Sequence, residues 1–373
     1  MDGVITHRFS CVGSPEIGLP QTCNKSQSNG LSLKDLSAVI IMTLSYDPPK
    51  VITTQTILNS RLSRYESPVP EQPIRLPGTD CLIKAQIPLS HLTSFRVGGP
   101  AEWYVAPRSL TELQASFEWA STQEMPITLL GAGSNLLISD RGLPGLVVGT
   151  RRLRHAAFDA ETGQVTVGAG EPLPRLAWQI AERGWQGFEW AVGIPGTVGG
   201  AVVMNAGAHG GCISDCLVNA QVLMSNGIIK TLTADELEYA YRTSKLQGKN
   251  WLVTQATFQL KPGADPEVVT AETSSHLNHR RSTQPYHLPS CGSVFRNPGN
   301  YKAGWLIEQV GLKGFQIGGA QIAQRHANFI LNCGSATASD IFQIIHHVQQ
   351  EVEQQWRLLL EPEVRILGDF QLV

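Results

Sequence analysis

Two glycine-rich segments and three polar segments carry the groups from which a reaction centre could be built. In Gly131-Ala-Gly-Ser-Asn-Leu-Leu137 the glycines allow a sharp turn and a close approach to a ligand. Gly131, Gly133, Ser134 and Asn135 can then offer backbone N–H groups to an anion such as a pyrophosphate. The segment departs from the dinucleotide fingerprint, because Leu136 stands where a third glycine is needed, and no P-loop Lys-Ser/Thr pair follows. The second segment, Gly193-Ile-Pro-Gly-Thr-Val-Gly-Gly-Ala-Val-Val-Met-Asn-Ala-Gly-Ala-His-Gly210, holds six glycines in 18 residues and follows the aromatic residues Trp185, Phe188 and Trp190. Its glycines could serve only turns and close helix packing. Two such loops in one chain nevertheless point to a large phosphate-bearing cofactor held mainly by backbone.

The polar segments lie in the second half. Arg242, in Tyr241-Arg-Thr-Ser244, could fix a carboxylate with two parallel hydrogen bonds, or it could form a surface ion pair. Ser293 follows a glycine in Ser290-Cys-Gly-Ser-Val-Phe-Arg-Asn-Pro298, where a polarised hydroxyl could donate a proton; the plain alternative is a turn serine. Leu360-Glu-Pro-Glu-Val-Arg-Ile-Leu-Gly368 reads as a strand with Glu363 and Arg365 on one face and Val364 and Ile366 on the other, and its polar face could simply be solvated. The chain has no G-x-S-x-G elbow, no H-E-x-x-H pair and no paired-cysteine redox motif, so electron transfer would need a bound cofactor.

These residues need strands and helices to position them. Ile127 to Leu130 reads as a buried strand running into the first glycine loop, with further short strands at Gly145 to Gly149 and Gln164 to Gly168. Pro172 to Gly184 has the punctuation of a helix, with proline near its start and glycine at its end. Leu217 to Leu232 reads as a hairpin turning at Ser225-Asn226-Gly227, where Asn-Gly tolerates positive φ. Asp265 caps a helix begun by Pro266 and running to about Arg281, which marks the start of a C-terminal unit. The last helix has Thr337 as its cap and an apolar stripe of Ile341, Ile344, Ile345, Val348, Val352 and Trp356, a core face rather than a cofactor box.

Composition bounds the rest. A 373-residue chain with 36 Gly and 22 Pro fits a loop-rich globular protein of two or three packed units. A net charge of -2 supplies no basic field for nucleic acid or an anionic membrane. The seven cysteines (Cys11, Cys23, Cys81, Cys212, Cys216, Cys291 and Cys333) are odd in number and scattered, as in a reducing compartment. Cys212 and Cys216 have only His209 near them, so no metal is expected, and Cys291 reads as structural. The apolar run Leu36 to Leu44 is far shorter than the ~20 residues a membrane helix needs, and it lacks the flanks of a secretory signal. A cytoplasmic location is expected. Residues 1 to about 80 are poor in periodicity, broken at Tyr46-Asp-Pro-Pro-Lys50 and Pro68-Val-Pro-Glu-Gln-Pro73, and read as a flexible extension in which Met42 is an alternative start.

Taken in order, Thr93-Ser-Phe-Arg-Val-Gly-Gly-Pro-Ala101, the two glycine segments, Tyr241 to Ser244, Gly292 to Pro298 and Glu363-Val-Arg365 resemble the UDP-N-acetylenolpyruvoylglucosamine reductase (UDP-N-acetylmuramate dehydrogenase) family from about residue 84 onward. The resemblance implies an α+β protein with an FAD-binding fold of the vanillyl-alcohol-oxidase (PCMH) type. Two α/β subdomains, 81–150 and 151–262, would enclose FAD, and a C-terminal α/β domain, 263–373, would bind the substrate. It implies that Arg96, Gly98, Gly131, Gly133, Ser134, Asn135, Gly193, Gly196, Thr197, Gly200, Asn205 and Gly207 serve the cofactor. NADPH would be the co-substrate and UDP-N-acetylglucosamine enolpyruvate the substrate, reduced to UDP-N-acetylmuramate for peptidoglycan precursor synthesis. Hydride would pass from NADPH through FAD to C3. Arg242 and Glu363 would stabilise the enol-like charge and Ser293 would protonate C2. Asn297 would lie near the substrate diphosphate, and His326, in Arg325-His-Ala-Asn-Phe329, would contact substrate unless it is a capped or buried histidine.

Only 51 positions separate Arg242 from Ser293, too few for the tyrosine-bearing insertion of one family type, so the shorter type and a monomer are expected. Two other readings stay open. One is a different flavoenzyme of the same fold, with His209 as a candidate for covalent attachment. The other is a catalytically inactive precursor-binding homologue.

Overall fold

The computed structural model describes residues 72–371. The expectations for the apolar run at Leu36, for Met42, for the break at Tyr46 and for Cys11 and Cys23 fall outside that range. The first ordered strand, Ile74–Arg75, lies within the stretch expected to be flexible up to residue 80. It pairs antiparallel with Leu82–Pro88, and Leu76 between them is fully buried. A single apolar side chain docked under a tight hairpin is enough to recruit this segment, which no run of alternating residues announces.

The first sheet is built around a parallel core. Strand Pro100–Val105 pairs parallel with Leu143–Gly149, which pairs parallel with Ile127–Leu130. Helix α1, Leu110–Thr122, makes the crossover between parallel strands. It starts where the Ser109 hydroxyl accepts the Glu112 N–H, and it buries Leu113, Phe117 and Ala120 against the sheet.

The second sheet is antiparallel, in the order Ile229–Thr233, Leu217–Leu223, Leu252–Gln259, Gln164–Gly168, Ala156–Asp159. Helices α2 (Leu173–Ala181) and α3 (Val198–Met204) cover it, with Leu176, Ala177, Ile180, Val198 and Val202 in the shared core. The hairpin at Asn226-Gly227 differs from expectation in one detail. Only Gly227 takes a positive φ, and its N–H bonds the Met224 carbonyl, so the loop has three residues and closes on the glycine alone.

Helix α4, Pro266–Thr283, is capped by Asp265, buries Val269, and packs on α2 with Leu277 against the core of the second sheet. Beyond it, α5 (Ala303–Gln309), the small sheet of Gln316–Ile317, Ala320–Ile322 and Ile330–Asn332, and α6 (Ala338–Trp356) surround a third core. Thr337 and Asp340 form a reciprocal cap at the start of α6, and the stripe from Ile341 to Val352 is buried as its spacing requires.

The third core also takes Phe95, Val97 and Leu137 from the first part of the chain. The last strand, Arg365–Leu367, returns to pair parallel with Leu136–Ile138 immediately after the first glycine loop. That single pairing brings the far C-terminal end of the chain to the loop that opens the site. Among the described residues no helix is long and apolar enough to cross a membrane.

Candidate active site

A cleft of about 620 Å³ runs between the first glycine loop, the turn before α3, and the Ser293 and Glu363 segments. Gly131, Gly133, Ser134, Asn135, Gly196, Thr197, Gly200 and Gly207 line one part of it, and Arg242, Ser293, Asn297 and Glu363 line another. Its wall carries the cations Arg242, Lys249, Arg280 and Arg365 against the single carboxylate Glu363, a balance suited to phosphate-rich ligands.

The glycine loop is shaped by what lies behind it. A side chain on Gly133, which has φ +65°, would sit 2.2 Å from the Leu92 carbonyl, so only glycine fits that bend. The Ser94 N–H donates to the Gly133 carbonyl at 3.0 Å. Arg151, which no motif had marked, donates from Nε to the Gly131 carbonyl (3.2 Å) and from Nη2 to the Ala132 (2.6 Å) and Leu92 (2.8 Å) carbonyls. Three carbonyls are thereby tied to a guanidinium. Across the cleft, Ser134 Oγ donates to the Pro195 carbonyl at 2.9 Å, joining the two glycine segments.

This cradle fits the phosphate-bearing part of FAD. A Cβ on Gly131 would come within 2.9 Å of Thr197 Oγ1, closing the gap between the segments. Thr197 Oγ1 is itself a buried hydroxyl with no hydrogen-bond partner in the protein, on the cleft wall. Buried hydroxyls without partners are rare and costly, and a bound phosphate or ribityl oxygen would satisfy this one.

Four residues expected at the cofactor stand off the wall. Arg96 is exposed and Gly98 packs on Ile138, because Phe95 and Val97 are drawn into the third core and fix the segment behind the glycine loop. Gly193 lies beneath the Arg280 side chain. Asn205 is buried, and its amide bonds the Ala240 carbonyl and the Ser214 N–H, which ties it to the loop around Arg242.

Arg242 and Glu363 meet across the cleft, with Arg242 Nε 3.0 Å from Glu363 Oε1. Arg242 occupies the left-handed region at φ +55°, where a non-glycine residue is strained. Reciprocal backbone bonds between Ala240 and Thr243 at 3.1 Å hold that tight turn. Arg242 Nη2 donates to the Gly207 carbonyl at 2.8 Å, which sets the plane of the fork. Glu363 does not begin the last strand; it lies two residues before it, positioned by its N–H to the Val294 carbonyl (2.7 Å) and by Asn135 Nδ2 to its carbonyl (3.0 Å). It still shares the cleft face with Arg365, while Val364 is buried on the other side. Burial pushes the Glu363 carboxyl above the ordinary glutamate range, against the pull of Arg242 and Arg296.

Ser293 follows Gly292, and its hydroxyl has no hydrogen bond to the described residues. Its neighbours are fixed by Asn328, which sequence reasoning passed over in favour of His326, two residues earlier. The buried Asn328 side chain accepts the Phe295 N–H (2.9 Å) and donates to the Phe295 carbonyl (2.8 Å), and its own carbonyl accepts the Val294 N–H (2.8 Å). Asn328→Ala would leave both Phe295 groups without partners, at about 1–3 kcal/mol each. A loss of roughly 2–5 kcal/mol in urea unfolding is therefore expected. An unchanged unfolding midpoint would contradict the role given to Asn328.

His326 itself is not on the cleft wall. Its Nδ1 accepts the Asn328 N–H at 3.3 Å, its ring packs edge-on to Phe329, and burial holds it below the ordinary histidine range. Its side chain is partly buried. Asn297 Oδ1 accepts the Ala303 N–H at the start of α5 (3.0 Å), which leaves its amide N–H groups for a ligand. Cys291 is buried and its thiol is pushed up by that burial, as suits a structural residue.

The geometry is thus a flavin-sized cleft with an arginine–glutamate pair and a serine at one end. Comparison with known proteins agrees. A family model for an FAD binding domain matches residues 101–233, and one for the C-terminal domain of UDP-N-acetylenolpyruvoylglucosamine reductase matches 284–367. The chain is similar to the UDP-N-acetylenolpyruvoylglucosamine reductase of Nostoc sp., with 66% identity over 298 residues, 80% of this chain and 90% of the relative. It is also similar to that of Nostoc punctiforme, with 59% identity over 330 residues, 88% of this chain and 99% of the relative. The crystal structure of the Thermus caldophilus reductase superposes with a TM-score of 0.65 at 33% identity, covering 77% of this chain and 99% of that one. The fold is therefore the FAD-binding vanillyl-alcohol-oxidase type with a C-terminal substrate domain. With this identity running through both the cofactor cradle and the Ser293 to Glu363 end, the chain belongs to the UDP-N-acetylenolpyruvoylglucosamine reductase family.

Proposed function

We propose that the cleft reduces the enolpyruvyl ether of UDP-N-acetylglucosamine enolpyruvate to the lactyl ether of UDP-N-acetylmuramate, with Ser293, Arg242 and Glu363 as the catalytic residues. The observation that carries this reading is the Arg242–Glu363 pair at 3.0 Å sharing one cleft wall with the unpartnered Ser293 hydroxyl. Held by the Gly131 to Asn135 and Gly196 to Gly200 segments, FAD would supply the hydride chemistry that links NADPH to C3 of the enolpyruvyl group. The chain's own residues manage the charge and the proton. Arg242, its fork fixed by Gly207 and Glu363, binds the substrate carboxylate, on which negative charge grows as C3 is reduced. Glu363, in its protonated form, donates a hydrogen bond to the same developing enolate. Ser293 Oγ gives its proton to C2, completing addition of hydride and proton across the double bond.

The Gly131 to Asn135 loop and Gly196 to Gly200 hold the cofactor pyrophosphate and ribityl chain. Asn297 donates to the substrate diphosphate. Residues 81–150 and 151–262 form the two cofactor subdomains and 263–373 the substrate domain. The enzyme acts as a cytoplasmic monomer with no nucleic-acid partner. Because hydrogen carried on reduced flavin exchanges with solvent before transfer, product formed in D2O should carry deuterium at both C2 and C3, as read by proton NMR. Protium retained at C2 would overturn the assignment of that hydrogen to the exchangeable Ser293 hydroxyl.

The pH dependence follows from Glu363. As pH rises through its elevated pKa the carboxyl loses the proton it donates, so substrate reduction should slow on the alkaline side. Glu363→Gln keeps a neutral donor and should remove that alkaline limb while lowering the plateau rate. Stability follows the same sign. The folded chain binds this proton more tightly than the unfolded one, so the Glu363 contribution declines as pH rises from the unfolded glutamate pKa, about 4.3, through the raised value. An alkaline limb that persists unchanged in Glu363→Gln would assign it to another group.

A further inference from the structure

Arg108, Arg151, Arg152 and Arg154, none of which lines the cleft, border a second, open hollow of about 580 Å³. Four arginine side chains line this one space. Like charges gathered this way repel unless an anion is placed among them. Their nearest counter-charge is Glu112, which pairs with Arg108 at 2.8 Å, and Asp80 near Arg108 is itself paired with Arg75. Arg152 makes no ion pair or side-chain hydrogen bond among the described residues. Arg154 spends only Nε, on the Arg151 carbonyl at 2.7 Å, and Arg151 spends Nε and Nη2 on the glycine-loop carbonyls. Several N–H donors therefore remain directed at no protein acceptor.

We infer that this hollow is a second anion site, distinct from the cofactor cleft, and that it takes a compact polyphosphate. Arginine forks match phosphate oxygens in pairs, and four of them with one carboxylate leave a net charge of about +3, suited to a diphosphate or triphosphate. An extended nucleic acid does not fit, because the basic groups are confined to one hollow in a chain of net charge -2. None of the four arginines is on the cleft wall, yet Arg151 belongs to both places through the carbonyls of Gly131 and Ala132. An anion bound here would touch the guanidinium that shapes the cofactor loop.

The test uses the full chain loaded with FAD and saturated with UDP-N-acetylmuramate, so that the cleft is filled. Inorganic pyrophosphate is then titrated by calorimetry, with ADP in a parallel arm. Binding of one equivalent of pyrophosphate is expected, weakened roughly tenfold or more in Arg152→Ala/Arg154→Ala, whose side chains are exposed and outside the catalytic machinery. Equal affinity for pyrophosphate and ADP would show that the diphosphate alone is read; tighter binding of ADP would identify a nucleotide as its source. Absence of binding to the filled enzyme, binding only when FAD or product is withheld, or equal affinity in wild type and variant would each overturn the inference. A melting curve of the variant matching wild type guards against misfolding as the cause of lost binding.

Discussion

Ser293→Ala should slow substrate reduction by roughly 10²–10⁴-fold, the usual contribution of a positioned proton donor, while leaving hydride uptake from NADPH at its wild-type rate. The separation of the two half-reactions is the informative part. Ser293 lies on the cleft wall at the substrate end, whereas the cofactor cradle is made by Gly131 to Asn135 and Pro195 to Gly200. Removing one hydroxyl with no protein partner breaks no internal hydrogen bond, so stability should stay within about 0.5 kcal/mol. A serine hydroxyl is a weak acid, so the proposed role requires a basic carbanion-like acceptor and a site from which bulk water is excluded. Ser293→Cys keeps a transferable proton and should retain more activity than Ser293→Ala. Equal loss in both half-reactions, or no loss, would remove Ser293 from the proton-donor role.

Arg242→Lys should cost about 10²–10³-fold in substrate reduction, comparable to the loss of a preorganised donor to a developing anion. The substitution keeps the positive charge, so charge alone is not what is tested. The guanidinium reaches Glu363 through Nε and the Gly207 carbonyl through Nη2, and a lysine ammonium cannot make both contacts in one plane. The backbone strain at φ +55° is the same for lysine, so folding should be little changed. Near-wild-type turnover in Arg242→Lys would show that a point charge suffices and would refute the fixed-fork argument.

Local features of the fold were readable because their causes are local. The Asp265-Pro266 start of α4, the Thr337 cap of α6 and its stripe from Ile341 to Val352 all rest on residues within a few positions of one another. The glycine loop was readable for the same reason, since Gly133 answers to the bend it occupies. What the sequence could not display were contacts between distant segments. Arg365–Leu367 pairs with Leu136–Ile138, and Asn135 bonds the Glu363 carbonyl from 228 positions away, with no periodicity to announce either. Arg151 acts on three carbonyls through a side chain that looks like any surface arginine in Arg151-Arg-Leu-Arg154.

The expected residues that do not line the cleft follow the same logic. Arg96 and Gly98 carry a recognisable motif, but Phe95 and Val97 beside them pack into the third core, and neither Arg96 nor Gly98 lines the cleft. His326 drew notice as a titratable side chain, while the positioning is done by the neutral Asn328, whose partners Val294 and Phe295 lie 33 positions away in the case of its side-chain bonds to Phe295. Chemistry-bearing residue types mark where a site is. Which of them face it is decided by packing.

The most direct test is anaerobic sequential-mixing absorbance of the FAD-loaded chain, first with NADPH and then with UDP-N-acetylglucosamine enolpyruvate. Loss of the flavin band on the first addition and its recovery on the second, with one UDP-N-acetylmuramate formed per flavin, is the predicted result. A band that NADPH removes but that this substrate does not restore would contradict the assigned reaction.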